Sequence, residues 1–120
     1  MADIIRDVFL AFVRVHLLHH ASEGPIYGLQ MMEELGRHGY TLSPGTLYPI
    51  FHSLEESGLL ESRNAVVDGK VRKYYRITRA GRKALADIKP KVRELVDEAL
   101  GDASEIDGGA RSRRAARRAR

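Results

Sequence analysis

The sequence of 120 residues contains no cysteine and no tryptophan, and only four prolines. Without cysteine the chain has no disulfide framework, no thiolate nucleophile and no cysteine-type zinc finger. The apolar run at residues 8–13 is far shorter than the roughly 20 residues that span a bilayer. Asp3, Asp7 and Arg14 around it are atypical of a signal peptide. We therefore expect a soluble cytoplasmic protein, of a length that suits one domain.

Enzyme signatures are also missing from the sequence. It has no phosphate-binding loop pattern, no GxSxG turn and no HExxH helix. The acidic pairs Glu33-Glu34 and Glu55-Glu56 make poor catalytic pairs, because neighbouring residues on a helix point apart. We expect both pairs to lie on solvated faces, and we expect a protein that is not an enzyme.

The net charge of +4 hides an uneven distribution. The last ten residues, RSRRAARRAR, carry six arginines, and the rest of the chain has 14 basic and 16 acidic residues. Eight basic residues but only one acidic residue, Asp68, lie between Arg63 and Lys83. A basic stripe on an otherwise acidic body predicts a phosphate-binding surface. Residues 101–120 have little to bury, so we expect a disordered arginine-rich tail.

Helical periodicity predicts the first two helices. Residues 4–20 are apolar on nearly every side, which is typical of a helix covered on two faces. The stretch SEGP at 22–25 interrupts this pattern, and a second helix is expected over 26–38, ending at His38-Gly39. Its predicted inner face consists of Ile26, Leu29, Met32 and Leu35.

The third helix begins within the stretch SPGTLYPIFHSLEESGLL, residues 43–60. Ser43 suits the N-cap, Pro44 suits the first helical position, and Gly45 allows close approach of the backbone. Thr46 and Tyr48 could donate hydrogen bonds to phosphates or touch base edges. The start of a helix that enters DNA favours phosphate, because its N–H groups are free.

Further along this helix, His52 lies one turn after Tyr48 on the same outer face. Pro49 forfeits a helical hydrogen bond unless the helix effectively starts near Thr46, and in either case it stiffens the backbone that presents Tyr48. Leu47, Ile50, Phe51 and Leu54 are expected inward, with Gly58 as the C-cap.

Two strand-like runs follow, at about 59–66 and 71–77, around an Asp68-Gly69 hairpin signal. Lys70, Arg72 and Lys73 lie nearest the turn, and Tyr75 and Ile77 are expected to face the core. Thr78 is placed to cap a last helix over 79–100, in which Pro90 predicts a kink or a break. The apolar residues of this helix, Leu85, Ile88, Val92, Leu95 and Ala99, form a seam for another helix.

Three helices, a hairpin and a fourth helix make a mainly α winged helix-turn-helix, with the third helix in the major groove of DNA. We expect a DNA-binding domain at residues 1–78 and a dimerisation helix at 79–100. The basic hairpin would be the wing, and the further cations Arg76, Arg79 and Arg82 are expected to be solvated or paired with acids. Val8, Phe9 and Phe12 of the first helix are expected to join the dimer interface.

The runs HGYTLSPGTLYPIFHSLEESGLL and DGKVRKYYRITRAGRKAL, preceded by GPIYGLQMMEEL, closely resemble PadR-type transcriptional regulators over about residues 5–100. The resemblance implies a dimeric winged-helix repressor that acts on a palindromic operator and is released by a signal. It places Ser43, Thr46, Tyr48 and Pro49 at the groove, and Lys70, Arg72 and Lys73 on the wing. The single C-terminal helix suggests a short-form member. Because the chain has no tryptophan, the tryptophan platform that binds effectors in some members is not expected.

Two alternative functions remain open on the sequence alone. His16, His19 and His20 have helical spacings that would suit a divalent metal, although packing or surface roles are the simpler interpretation. A metal-responsive regulator is therefore one alternative. The other is a winged-helix module for protein contact, which the basic wing and hydroxylated helix disfavour.

Overall fold

The computed structural model describes residues 3–101. Its elements are α1 (Ile4–Glu23), α2 (Gly28–Arg37), α3 (Pro44–Glu56), β1 (Leu60–Val67), β2 (Lys70–Ile77), α4 (Arg79–Leu95) and a π-helical turn (Val96–Leu100). The predicted order of helices and hairpin is confirmed. Two compact units divide between Leu85 and Ala86. No helix within residues 3–101 is long and apolar enough to cross a membrane, and the arginine-rich segment lies outside the described residues.

The core of the first unit is built from the apolar stripes of three helices and the inner face of the hairpin. Its fully buried side chains include Val13, Leu17, Leu35, Leu47, Phe51 and Leu60. The ring of Phe51 on α3 stacks on the ring of Tyr75 on β2, with centroids 4.3 Å apart. The predicted inner face of α3 is confirmed, since Leu47, Ile50, Phe51 and Leu54 are all buried.

The second helix begins later than predicted. Ile26 lies in an extended segment and pairs with Tyr75 of β2, donating from its N–H at 2.8 Å and accepting at 2.7 Å. The prediction that Ile26 is helical is therefore wrong, because pairing with the hairpin outweighs local periodicity. The inner face of α2 shifts accordingly to Gly28, Met31 and Leu35, and Leu29 is exposed.

The third helix ends through a backbone motif centred on Gly58, with its cap one residue earlier than predicted. Ser57 is the cap residue and Gly58 follows it with φ of 79°. The Gly58 N–H donates to the Glu55 carbonyl, and the Leu59 N–H donates to the Leu54 carbonyl, each at 2.9 Å. Glycine suits this left-handed position because it has no Cβ to clash with the backbone.

The hairpin has the predicted turn. Asp68 and Gly69 both have positive φ, 51° and 75°, as a two-residue turn of this twist requires. The register pairs Leu60 with Ile77 at one end and Val67 with Lys70 at the other. Tyr75 and Ile77 face the core as predicted.

Thr78 joins the hairpin to α4 and caps that helix, as predicted. Its hydroxyl accepts from the Gly81 N–H at 3.0 Å and donates to the Gly58 carbonyl at 2.5 Å. The helix is not broken at Pro90, where a kink or a break was predicted. It continues as an α-helix to Leu95 before the π-helical turn.

Gly81 provides a test of the packing between α4 and the hairpin. A Cβ at this position would overlap the Leu59 carbonyl oxygen and lie 2.6 Å from Cγ1 of Ile77. We expect G81A to lower the free energy of unfolding by about 1–3 kcal/mol, as overpacking of a core does. Urea unfolding followed by circular dichroism measures this change.

The matched control is Gly36, a glycine of α2. A Cβ at this position would have no neighbouring atom within 4 Å. Alanine is the better helix former, so G36A should leave the free energy of unfolding unchanged or raise it by up to about 1 kcal/mol. Equal losses in both variants would contradict the packing explanation.

Candidate nucleic-acid interface

A groove with a cavity volume of about 690 Å³ lies between the start of α2, helix α3 and the hairpin. Five of the residues predicted to contact DNA line it together: Tyr48, His52, Lys70, Arg72 and Lys73. The other five lie on the first turns of α3 and at its cap, outside this lining: Ser43, Pro44, Gly45, Thr46 and Pro49. The structure therefore places predicted residues of the third helix and of the hairpin around one concave surface.

The start of α3 presents its hydroxyl groups as a pair. Ser43 occupies the N-cap position as predicted, and its carbonyl accepts from the N–H groups of Thr46 and Leu47 at 3.0 Å. Its hydroxyl donates to the Thr46 hydroxyl at 3.3 Å instead of accepting from a backbone N–H of the first turn. Pro44 stands at the first helical position, where its missing N–H costs nothing.

Tyr48 and His52 lie in successive turns of α3, on the groove side. The Tyr48 side chain is 47% exposed, and its ring lies beside Gly28 at the start of α2. His52 is more exposed, and its Nε2 lies 3.1 Å from Oε1 of Glu56. The imidazole is therefore oriented along its own helix by a carboxylate one turn away.

Arg72 on the wing is held by two aromatic rings. Its guanidinium carbon lies 4.1 Å from the ring centroid of Tyr27, and its Nη1 donates to the Tyr74 hydroxyl at 3.3 Å. The hydrogen bond to Tyr74 raises the pKa of Arg72 above its ordinary value. The sequence analysis did not assign Tyr27 or Tyr74 to the site, although Tyr74 follows Arg72 by two residues in β2 and so lies on the same face of the strand.

Lys73 is linked to α3 through Glu55. Its Nζ lies 3.8 Å from Oε1 of Glu55, whose Oε2 accepts from the Ser62 N–H at 3.2 Å and from the Ser62 hydroxyl at 2.5 Å. The expectation that Glu55 lies on a solvated face is wrong, because this half-buried carboxylate joins α3 to both strands. The contact places a wing cation at a defined position relative to the third helix.

Comparison with known proteins identifies the family. The model of the transcriptional regulator PadR-like family matches residues 17–87, which include the second and third helices and the whole hairpin. The chain belongs to the PadR-like family of transcriptional regulators.

Relatives and solved structures extend this similarity to most of the chain. The PadR-like protein is 48% identical over 104 residues to Transcriptional regulator Rv3488 of Mycobacterium tuberculosis, covering 87% of this chain and 97% of the relative. It is similar to the crystal structure of a PadR family transcriptional regulator from Eggerthella lenta, at 30% identity and a TM-score of 0.70, with 85% of this chain and 89% of the other covered. A PadR-like regulator from Bacillus cereus is 26% identical, with a TM-score of 0.68 and coverages of 78% and 96%.

The residues that we predicted at a dimer interface of this PadR-like chain differ in their exposure. On α1, Val8 and Phe12 are exposed, and Phe9 is half-buried with its ring centroid 5.0 Å from that of Tyr40. Two further exposed residues of α1, Ile4 and Ile5, were not part of the prediction. The C-terminal set ranges from Leu85, which is 4% exposed, through the half-buried Ile88 and Val92 to the exposed Leu95 and Ala99. Leu85 is therefore a core residue of the single chain.

The structure adds a fourth ring, that of His38, to the predicted histidine cluster. The ring centroid of His20 lies 6.3 Å from that of His16 and 5.2 Å from that of His19, and the centroid of His38 lies 5.5 Å from that of His16. Glu34 accepts from Arg37 at 2.6 Å and lies 3.0 Å from Nε2 of His38. Within residues 3–101 no group of three or more such side chains is arranged to hold a metal ion.

Protonation of His16 is opposed by its surroundings. Burial, and then the neighbouring His38, His20 and His19, lower the pKa of His16 from its ordinary 6.5, although Glu34 acts in the opposite direction. The folded chain therefore binds this proton less tightly than the unfolded chain does. Below pH 6.5 the unfolded state gains protons first, and the folded state loses stability.

We expect the free energy of unfolding to fall as the pH is lowered from 7.5 to 5.5, and to fall less steeply in H16Q. Hydrogen bonds from Arg37 and His38 lower the pKa of Glu34 below 4.5. The contribution of Glu34 to the free energy of unfolding is therefore lost only in solution more acidic than the range of this experiment. Urea unfolding at several pH values checks this expectation, with H52Q as a control at an exposed histidine. An identical slope in wild type and H16Q would contradict it.

Proposed function

We propose that this transcriptional regulator is a homodimeric, cytoplasmic repressor that binds a palindromic operator and is released by an effector. It would act by binding rather than by catalysis. The observation that carries the proposal is the shared groove, in which the predicted helix residues Tyr48 and His52 meet the predicted wing cations Lys70, Arg72 and Lys73. Polar groups of helix and wing on one concave basic surface suit a sugar–phosphate strand and the bases beside it.

The contacts would divide between positioning and sequence reading. The paired hydroxyls of Ser43 and Thr46, the backbone near Gly45 and the wing cations would bind phosphates and set the register. Tyr48 and His52 would lie nearest the bases of the major groove. In a two-fold dimer the two copies of α3 would enter successive major grooves about 34 Å apart, which requires an inverted repeat in the operator.

The alternatives make different predictions in one experiment. Duplexes selected by the protein from a randomised pool, and retained against competitor DNA, would support the repressor. Selection of no sequence would favour the protein-contact module. Zinc-dependent selection would favour the metal-responsive regulator, for which the described residues offer no preformed site.

The wing assignment is tested with K70A/R72A/K73A on the selected duplex. We expect weaker binding to all sequences alike, because phosphate contacts carry no sequence information. The log–log slope of the association constant against salt should fall by up to about three units per protomer. Fluorescence anisotropy at several salt concentrations measures both changes.

The matched control is R76A/R79A/R82A, which removes the same charge from cations that we expect outside the DNA contact. Its salt slope should change much less than that of the wing variant. Intact affinity in K70A/R72A/K73A, or an equal loss in the two triple variants, would refute the wing assignment.

The proposed dimer is tested at Leu95, which is 56% exposed at the end of α4. We expect L95E to dissociate the dimer, because a buried unpaired carboxylate at an apolar interface is strongly unfavourable. Sedimentation velocity measures the change in mass. The control is V66E at the exposed wing tip, which should remain dimeric, and a stable L95E dimer would place the interface elsewhere.

A further inference from the structure

Gly28 is a buried glycine in the first turn of α2, and it lies on the lining of the groove. Its backbone is not among the positive-φ glycines of the described chain, so its conformation is open to any residue. Alanine would favour the helix at this position. The absence of a side chain must therefore have a tertiary cause.

The ring of Tyr48 supplies that cause. A Cβ on Gly28 would overlap the Tyr48 hydroxyl and would lie 2.6 Å from Cε1 and 2.7 Å from Cζ. The three nearest atoms all belong to this one side chain, and none belongs to the backbone. The ring thus occupies the space that any other residue at position 28 would fill.

The ring of Tyr48 also lies near a buried ring of its own helix, since its centroid is 6.5 Å from that of Phe51. The side chain nevertheless remains half exposed, so a Cβ at position 28 would swing the ring outward instead of disrupting the core. A side chain ordered before binding loses less conformational freedom when the partner arrives.

We propose that Gly28 is a positioning residue for DNA binding. Because Gly28 has no side chain, the ring of Tyr48 packs against α2 at this position. This contact sets the direction in which the Tyr48 hydroxyl meets DNA. This inference rests on the proposed function, because it assigns to α2 a role in ordering a contact of α3. Gly28 itself touches no DNA in this scheme and acts through Tyr48 alone.

A double-mutant cycle on the full chain tests the proposal. The variants are G28A, Y48A, G28A/Y48A and the control G36A, each titrated into the duplex that the wild-type protein selects from a randomised pool. We expect G28A and Y48A each to weaken binding about tenfold, the order expected for one hydrogen bond to a charged group. The double variant should bind no more weakly than Y48A, and G36A should bind like the wild type.

A panel of singly substituted duplexes adds a measurement that general destabilisation would not change. If Tyr48 contacts bases, G28A should lose discrimination at the same base pairs as Y48A. If Tyr48 contacts phosphate, both variants should bind every duplex of the panel more weakly by the same factor. Wild-type affinity in G28A, or a further loss when G28A is added to Y48A, would overturn the proposal. Loss of the folded circular dichroism spectrum in G28A would also overturn it, because Gly28 would then be needed for folding.

The two proposals fail in different ways. If the wild-type protein selects no duplex, the proposed function fails and the role of Gly28 falls with it. If the wild type selects a duplex and the cycle shows no coupling between Gly28 and Tyr48, only the positioning role is refuted.

Discussion

The geometry of the groove depends on the packing of Tyr75. Its backbone pairs with Ile26, which joins the approach to α2 to the hairpin, and its ring stacks on Phe51 of α3. Burial raises the pKa of its hydroxyl, so the buried side chain stays neutral. Tyr75 thus links the hairpin to the approach to α2 and to α3, and these two contacts help to set the position of the wing relative to the third helix.

The cations of the wing are oriented by the protein itself. Arg72 lies over Tyr27 and donates to Tyr74, and Lys73 lies near Glu55. Such partners are worth little to folding at an exposed surface, where solvent screens charges. They do restrict the positions of long, flexible side chains, and this restriction lowers the entropy lost when phosphates are bound.

Local preference and tertiary structure agree along most of the chain, and the exceptions cluster at the contacts between elements. Gly28 and Gly81 occupy helical positions where alanine would be preferred, and each makes room for a neighbouring element. Ile26 has helical periodicity and yet pairs with a strand. In each case close packing against a segment distant along the chain outweighs a local preference of about 1 kcal/mol.

The sequence by itself determined the order of the elements, the stop of α3 at Gly58, the Asp68-Gly69 turn and the Thr78 cap, because these depend on periodicity and backbone preferences within a few residues. It also indicated the basic wing and the hydroxylated start of α3. Only the tertiary structure decided that Tyr27 lies under Arg72, that Glu55 binds Ser62, and that Tyr48 packs against Gly28. Each of these contacts joins two different elements, and no local pattern encodes them, since they exist only once the core has packed.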